Sequence, residues 1–447
     1  MNARWLLPGI LALALLLRLA AGLSQDHLSA YERVGGDSWV YLDIGYNLMT
    51  GYDYSEVAIP MAPLYPVLTG IAQRLFDREA AIIVVRVLQA LLGTAICFFA
   101  YRLARLIAGQ RAGLMAAGVL AVSPVFVLES AQILTETIYV FLLLAGLWVY
   151  CEGIAIRVTP LVSSHRVPVG KVVIAAILLG LATLTRAPLL LFPLGLVLHL
   201  LLVYGWRRGL QRAALLLAIY GLVVSTWTAV NWFKWNRVVI GAEGFAAFLY
   251  IGATDWQGPS QVDVNLAQDA GVEGALPSNP DAQEQLYGQA ASSVIGRDVG
   301  GWLSRRVNEL TSAYLMPHGT LFFPGESLRD LALDWLRDDR TPTGLLRLMQ
   351  GEGFWPKLAL YVLHYAALLL GLVGMWRTRR YWRLTLPLIG LILYTSLIHF
   401  VLDAIPRYLF PLEAVFWVLA ACAVFYRRPD AIHANSATIE TVPQTEH

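Results

Sequence analysis

Long apolar runs separated by short polar connections make up most of the chain. Each run is close to the roughly 20 residues that an α-helix needs to cross the hydrocarbon core of a bilayer. A membrane-spanning β-barrel would instead show short segments of alternating polarity. We therefore predict an all-α polytopic membrane protein with about ten transmembrane helices, at residues 5–23, 80–108, 112–128, 132–152, 171–187, 188–204, 213–233, 356–376, 384–402 and 408–426. The count is ten or eleven, since one run is short and residues 171–204 are interrupted near Pro188.

The composition agrees with this pattern. Hydrophobic residues make up 57% of the 447 residues and charged residues 14%, against about 25% charged residues in a soluble chain. The net charge of +2 indicates no nucleic-acid partner, because the basic residues cluster in short connections. The three cysteines lie in or at the end of apolar runs and show no disulfide or zinc spacing. The first run could be a signal peptide, but it lacks a clear small-x-small cleavage site, so we predict a retained span.

Lysine and arginine are concentrated in every second connection. They occur in residues 102–111, 153–171, 205–212 and 377–383, and again directly after the last apolar run at Arg427 and Arg428. Cytoplasmic loops carry the excess of these residues, so the five basic connections and both termini are predicted to be cytoplasmic. Two long segments then face the outside of the plasma membrane, residues 24–79 and 234–355.

The first outer segment has helical periodicity. Apolar residues recur at helical spacing in two stretches, namely Trp39, Leu42, Tyr46 and Met49, then Leu64, Leu68, Ile71 and Leu75. Both stretches are too short and too polar to span, so we predict amphipathic helices in the membrane interface. Residues 293–316 of the second outer segment predict a further interfacial helix. We expect one transmembrane domain over residues 1–428 and a disordered cytoplasmic tail over residues 429–447.

The predicted topology places several ionisable side chains at the outer ends of the spans. Ionisable groups at such positions are costly and are usually functional or paired. The candidates are Asp37 and Asp43 after the first span, Glu129 and Glu136 around the turn between the third and fourth, Arg186 after the fifth, and His399, Asp403 and Arg407 between the ninth and tenth.

The acidic candidates also have structural interpretations. Asp37 stands where it would N-cap a helix that begins at Ser38. Asp43 fits a solvated helix face, and Glu129 and Glu136 fit interfacial positions in water. The sequence leaves these alternatives open.

The basic candidates have alternatives as well. Arg186 could extend to lipid headgroups, and Arg407 could form a structural clasp with Asp403. No nucleophile elbow, P-loop or HExxH motif is present, and the inner connections are too short to build a nucleotide site. Nucleotide-activated donors are not normally available outside the cell, so an enzyme at the outer face must use a donor carried by the membrane.

Several short motifs follow one another in order along the chain. An acidic residue after the first span lies in GGDSWVY, and PMAPLYPVLTGIAQRLFD follows it. Next come an Arg-x-x-Gln-x-Leu start in VVRVLQALL, a Ser-Pro pair, and an acidic residue that opens the fourth span. LATLTRAPLLLFP and RYLFPLEAVF mark later spans. This order resembles the GT-C glycosyltransferases, most closely the dolichyl-phosphate-mannose protein mannosyltransferases and the bacterial aminoarabinose lipid A transferases.

The resemblance implies a reaction and roles for the candidate residues. Enzymes of this superfamily transfer a sugar from a polyprenyl-phosphate carrier to an acceptor hydroxyl, usually with inversion at the anomeric carbon. Asp37 matches the first-loop acidic position and is expected to be the general base that accepts the hydroxyl proton. Glu136 matches the second acidic position and is expected to orient the acceptor or the sugar.

The leaving polyprenyl phosphate gains negative charge in the transition state. Guanidinium groups suit phosphate oxygens, so we expect Arg186 and Arg407 to bind it, with Arg86 as a further candidate. Relatives often have a second acidic residue where this chain has Ser38, and a carboxylate there would favour metal binding. We therefore expect no cofactor and a metal-independent reaction, with a divalent metal as the alternative.

The sequence thus predicts a membrane glycosyltransferase that uses a polyprenyl-phosphate-linked sugar and acts on a lipid, glycan or protein acceptor. Acceptor specificity is expected in residues 234–355, where relatives vary most. A transporter or flippase of lipid-linked sugars is the main alternative, but it would need charged residues in the middle of the spans. A structural or assembly protein would leave the gathered ionisable residues unexplained, and a ligase using pyrophosphate-linked glycans is a neighbouring enzyme class.

Overall fold

The computed structural model describes residues 5–24, 36–59, 61–158, 169–254, 266, 268–271 and 277–426, with the backbone alone at residues 156–158. The tail predicted to be disordered, residues 429–447, lies outside the described residues. The described part of the chain is helical and contains no β-strand. Its α-helices are α1 Leu6–Ser24, α2 Asp37–Thr50, α3 Leu64–Leu75, α4 Arg78–Ala108, α5 Gln110–Val122, α6 Pro124–Glu129, α7 Glu136–Val158, α8 Val169–Thr183, α9 Phe192–Tyr204, α10 Trp206–Trp235, α11 Phe245–Ala253, α12 Pro280–Arg297, α13 Val299–Leu315, α14 Leu328–Asp338, α15 Pro342–Met349, α16 Phe354–Arg377, α17 Trp382–Val401 and α18 Pro406–Phe425.

Every apolar run that was predicted to span the membrane forms helix. Eight helical segments are long and apolar enough to cross a bilayer. The two remaining predicted spans correspond to α5 and α8, which are shorter apolar helices. The predicted all-α polytopic architecture is confirmed.

The predicted third span, residues 112–128, is two helices and not one. α5 ends at Val122, Ser123 is extended (φ −62°, ψ 120°), and α6 begins at Pro124. A proline disfavours the helical conformation of the residue before it, and it suits the first turn of a new helix. The chain therefore turns into a short second helix that ends at Glu129.

The two most enclosed spans are α18 and α7. In the apolar window of α18, 83% of the residues are buried, and in that of α7 the share is 78%. α18 packs against α16, α4, α5 and α7, as expected for a helix that is apolar on all sides. α7 begins at Glu136, and Arg407 is the second residue of α18. The two central helices of the bundle therefore carry ionisable residues at one end.

Two of the predicted basic connections meet at one end of the bundle. At the end of the bundle away from Glu136, Arg102 of α4 donates to Glu152 of α7 at 2.9 Å, and Lys171 of α8 donates to the same carboxylate. Arg102 and Lys171 belong to two of the basic connections, so those connections lie at one end. The end that carries Glu136 is called the site end below.

The structure contains the two helices predicted in the first outer segment, α2 and α3. They contact each other through faces other than the predicted apolar stripes. They cross at Gly45 and Gly70, where a Cβ on Gly45 would overlap Thr69 Oγ1 and come within 2.8 Å of Gly70 N. Thr69 Oγ1 also donates to Tyr41 O at 3.0 Å. Part of the predicted apolar stripe is exposed instead, at Tyr46, Ile71 and Leu75. The placement of these helices in the membrane interface remains a prediction.

The second outer segment folds onto the site end. The helix predicted over residues 293–316 is two helices, because the chain breaks at Asp298, whose carboxylate caps α13 by accepting from Gly301 N at 2.8 Å. α13 packs against α17 and α18. Gly252 of α11 lies so close to Leu402 O that no Cβ would fit. The segment is therefore attached to the C-terminal end of α17.

Candidate active site

Asp37, the predicted base, is the first residue of α2. Gly36 is the N-cap, with φ 85°, and no described side chain caps the helix. The interpretation of Asp37 as a capping residue is therefore wrong. Its Oδ2 instead accepts a hydrogen bond from Arg407 Nη1, and 35% of its side chain remains exposed.

Glu136 opens α7 and is fully buried. Its Oε1 accepts from Arg186 Nη1 at 2.8 Å and from Arg407 Nε at 2.5 Å. A buried carboxylate is costly without partners, and the two guanidinium groups supply them. Glu136 is therefore not the hydrated interfacial residue of the structural alternative, and one carboxylate holds both predicted phosphate-binding arginines.

Arg407 links the two acidic residues. Its guanidinium pairs with Asp37 through Nη1 and with Glu136 through Nε. The predicted alternative, a clasp between Arg407 and Asp403, is wrong because the guanidinium is bonded to these other carboxylates. The four side chains form a chain in the order Asp37, Arg407, Glu136, Arg186, which we call the Arg407 cluster.

Arg186 reaches the cluster from the connection that follows α8. Its backbone is extended (φ −145°, ψ 108°), and only 14% of its side chain is exposed, so it does not extend to headgroups as the alternative required. Its Cζ lies 5.5 Å from the centre of the Tyr408 ring and 5.8 Å from that of Tyr139. At such distances a cation is attracted to an aromatic face, and the rings help to fix the guanidinium.

A cavity of about 490 Å³ lies against the Arg407 cluster. Small-molecule sites have volumes of about 300–1,000 Å³. Asp37, Arg186 and Arg407 line the cavity, together with residues of both outer segments, the turn after α8, and the ends of α17 and α18, including Tyr41, Pro188, Glu243, Phe248, Asp403 and Tyr408. The cavity can therefore bind a ligand with an anionic group at the arginines.

Arg86, the weaker phosphate-binding candidate, lies elsewhere. It is buried in α4, and its Nη1 donates to Gly22 O of α1 at 3.3 Å. It is not among the described residues that line the cavity. The structure thus places Arg86 at a contact between two spans and does not bring it into the Arg407 cluster.

The other ionisable candidates have different surroundings. Asp43 forms an exposed ion pair with Arg78 at 2.8 Å, which fits the predicted solvated face. Glu129 is buried, so its interpretation as a hydrated interfacial residue is wrong, and it pairs with His318, a residue 189 positions later. His399 lines the cavity and stacks on Tyr408 with ring centres 5.0 Å apart.

Glu243 is a cavity residue that the sequence analysis missed. It pairs with Arg237, and its Oε2 accepts from Ile59 N at 2.5 Å, so it joins the two outer segments. Burial raises the pKa of Glu243. Tyr41, also missed, lines the cavity, and burial raises its pKa to about 12. Glu243 stands in no motif and at no end of a span. Tyr41 is the last residue of GGDSWVY, but nothing in that motif marks its side chain as a cavity residue.

No group of three or more His, Cys, Asp or Glu side chains is arranged to hold a metal ion within the described ranges. The two acidic residues of the Arg407 cluster bind arginine. The expectation of a metal-independent reaction stays a prediction.

Comparisons with known proteins bear on the fold. Residues 60–232 match the family described as Dolichyl-phosphate-mannose-protein mannosyltransferase. No curated protein matches the chain. The apo oligosaccharyltransferase from Archaeoglobus fulgidus aligns over 99% of this chain and 53% of that chain, at 17% identity and a TM-score of 0.51.

Two further solved structures are similar. AglB from Archaeoglobus fulgidus, in complex with an inhibitory peptide and a dolichol-phosphate, has the same coverage and identity and a TM-score of 0.52. ArnT from Cupriavidus metallidurans, bound to undecaprenyl phosphate, aligns over 100% of this chain and 82% of that chain at 16% identity, but its TM-score of 0.40 is too low to support an argument.

This chain spans about half the length of the oligosaccharyltransferase structures. The structural similarity supports a shared fold. Because the identity is only 17%, it supports nothing finer. The family match is independent of these structural comparisons, because it rests on the sequence of residues 60–232. Together these findings confirm that the chain resembles the GT-C glycosyltransferases in its helical membrane fold and in the sequence of residues 60–232.

Proposed function

We propose that this protein transfers a sugar from a polyprenyl-phosphate donor to an acceptor hydroxyl, with inversion, at the outer face of the plasma membrane. The observation that carries the proposal is the fixing of Arg186 and Arg407 on one buried carboxylate, beside a cavity that also contains Asp37. The complex of AglB with a dolichol-phosphate supports a lipid phosphate as the ligand of such a fold.

The arginines of the cluster bind the donor phosphate. Glu136 uses one oxygen to hold both guanidinium groups, so they are oriented before the donor arrives. Arg407 uses Nε and Nη1 for its carboxylate partners, which leaves Nη2 for a phosphate oxygen. Fixed cations at the position where charge develops stabilise the transition state. Glu136 is thus a positioning residue that acts through the arginines.

Asp37 accepts the proton of the acceptor hydroxyl. Only Oδ2 of its carboxylate is bonded to Arg407, and Asp37 lines the cavity, so Oδ1 would accept the proton. The hydroxyl oxygen attacks the anomeric carbon while the bond from that carbon to the phosphate oxygen breaks. The electron pair of that bond leaves with the polyprenyl phosphate, whose charge the arginines meet, and the proton goes to Asp37. Direct displacement inverts the anomeric centre.

The outer segments would position the acceptor. The cluster lies at the site end, away from the basic connections, and basic connections face the cytoplasm. Residues 234–355 contribute one wall of the cavity and are attached to the end of α17. We therefore propose that the site faces the exterior or periplasm, that both termini are cytoplasmic, and that this segment selects the acceptor.

The test uses detergent-purified protein, where no membrane remains to transport across. Undecaprenyl phosphates carrying different sugars are supplied with an envelope extract as acceptor, and release of free undecaprenyl phosphate is measured. Arg186→Ala and Arg407→Ala should each reduce turnover by about 10²-fold or more, while Lys at either position should retain part of it. Chelators should have no effect.

The matched control is Arg78→Ala, which removes an exposed arginine of the same outer region and should leave turnover unchanged. A transporter would release no free carrier under these conditions. If neither alanine variant lowers donor affinity or turnover, the arginines do not bind the phosphate and the proposed function is wrong.

A further inference from the structure

Asp403 is a cavity-lining carboxylate that the mechanism above does not use. It lies between α17 and α18 and forms no ion pair with any residue in the described part of the chain. Arg306, the cation that most lowers the pKa of Asp403, is itself paired with Glu309. Burial raises the pKa of Asp403. A partly buried acid whose charge the protein leaves unmatched is a candidate ligand-binding group.

Two phenylalanines form the wall beside it. Phe245 and Phe248 of α11 line the same cavity, and 56% and 36% of their surfaces are exposed. The ring of Phe248 lies edge-on to that of Tyr408, with centres 6.4 Å apart. Large apolar rings left uncovered in a cavity mark a surface that a ligand covers.

The aromatic wall and the carboxylate are held in a fixed relation. Gly252 of α11 lies directly against the carbonyl of Leu402, the residue before Asp403. Arg306 of α13 donates to the same carbonyl at 2.9 Å. The position of Phe248 relative to Asp403 therefore depends on a close backbone contact between α11 and the end of α17.

Aromatic faces and a carboxylate together match the chemistry of a sugar ring. A pyranose presents apolar C–H faces that pack on aromatic rings, and hydroxyl groups that donate to carboxylate oxygens. We propose that Asp403, Phe245 and Phe248 form the subsite for the transferred sugar, with Asp403 accepting hydrogen bonds from its hydroxyl groups. The inference rests on the proposed function, because it takes the arginines as the site of the adjoining phosphate.

The subsite restricts the class of sugar. A second anion placed against an unmatched carboxylate would be repelled, whereas a neutral or aminated sugar would be accepted. The transferred residue is therefore a neutral sugar or an amino sugar, and uronic acids are rejected. This consequence concerns the donor and makes no statement about the acceptor.

The test measures how much the sugar adds to the affinity for the lipid. Radiolabelled undecaprenyl phosphate is bound to the purified protein in detergent, alone and carrying mannose, N-acetylglucosamine, an aminopentose or glucuronic acid. At least one neutral or amino sugar should increase the affinity over the bare lipid, and glucuronic acid should not. Asp403→Ala should remove about tenfold or more of that increase, as expected for hydrogen bonds to a charged group, and leave the affinity for the bare lipid unchanged.

Controls separate this inference from the proposed function. Phe245→Ala should also lower the increase, whereas Asp334→Ala, at an exposed position of α14, should not. Failure of the bare lipid to bind wild type, or binding that is insensitive to Arg407→Ala, would overturn the proposed function. Normal binding of the bare lipid with no increase from any sugar, or with an increase that survives Asp403→Ala, would overturn the sugar subsite alone.

Discussion

Arg407 of α18 donates a hydrogen bond to Asp37 of α2, a residue 370 positions earlier in the chain. The same guanidinium donates from Nε to Glu136 at the start of α7. The proposed base and a proposed phosphate ligand are therefore parts of one hydrogen-bonded unit. A substitution at Glu136 should act on both, although this side chain is fully buried.

We expect Glu136→Gln to abolish transfer through the arginines. The amide keeps the shape but removes the charge that holds Arg186 and Arg407, and breaking a buried pair from one side costs about 3–5 kcal/mol. Donor affinity and turnover should both fall, and thermal stability should decrease. Equilibrium binding of undecaprenyl phosphate to the purified variant, beside its melting temperature, is the measurement.

The matched control is Glu152→Gln at the opposite end of the bundle. Glu152 likewise holds two cations, Arg102 and Lys171, so its loss should also reduce stability. Donor affinity should stay at the wild-type value, because the cavity is at the other end. Equal loss of donor affinity in the two variants would mean that Glu136 acts through stability alone.

The crossing of α2 and α3 sets the position of the base. A Cβ on Gly45 would overlap Thr69 and the carbonyl of Pro66, and overpacking of this kind costs about 1–3 kcal/mol. We expect Gly45→Ala to displace α2 and to lower turnover more than donor affinity. Gly221→Ala, where the added methyl meets open space, should leave turnover intact. Turnover that is normal in both variants would show that the crossing does not position Asp37.

The helices and the members of the cluster could be predicted from the sequence for a simple reason. Apolar runs of the right length fix the spans, and the alternation of their ends brings Asp37, Glu136, Arg186 and Arg407 to one depth. The sequence also indicates some of the helix ends, since Pro124 alone explains the break in the predicted third span.

The pairing of those residues could not be predicted. Arg407 is four residues from Asp403, and proximity along the chain favoured a clasp that the structure does not contain. The actual partners are set by how α2, α7 and α18 cross, which side-chain packing decides and periodicity does not. The same holds for Glu243, whose partners Arg237 and Ile59 come together only when the two outer segments meet.

Membrane orientation can be tested with single cysteines. Glu56 and Arg380 are exposed at opposite ends of the bundle, and the described native cysteines are buried. We expect Glu56→Cys to react with an impermeant maleimide in intact cells, and Arg380→Cys to react only after permeabilisation. The reverse pattern, or equal labelling of both, would contradict an outward-facing site.

The stability of the protein should depend on pH through Asp403. Burial raises its pKa above the ordinary value of 3.8, so the folded protein binds this proton more tightly than the unfolded chain does. The group therefore favours folding at low pH and loses this contribution as pH rises through the folded pKa. The melting temperature of Asp403→Asn minus that of wild type should be smallest below about pH 4 and larger near neutrality. The same difference for Asp334→Asn should not change with pH.

The central claim is that Asp37 takes the proton from the acceptor hydroxyl, and the most direct test is the transfer rate of Asp37→Asn. The amide retains the size of the side chain and an oxygen that can accept from Arg407, but it cannot serve as the base. Asp43→Asn, on the exposed face of the same helix, is the control and should stay near the wild-type rate. We predict that purified Asp37→Asn melts close to wild type, binds undecaprenyl phosphate, and transfers sugar about 10²–10⁴-fold more slowly. Near wild-type turnover in Asp37→Asn would contradict the account.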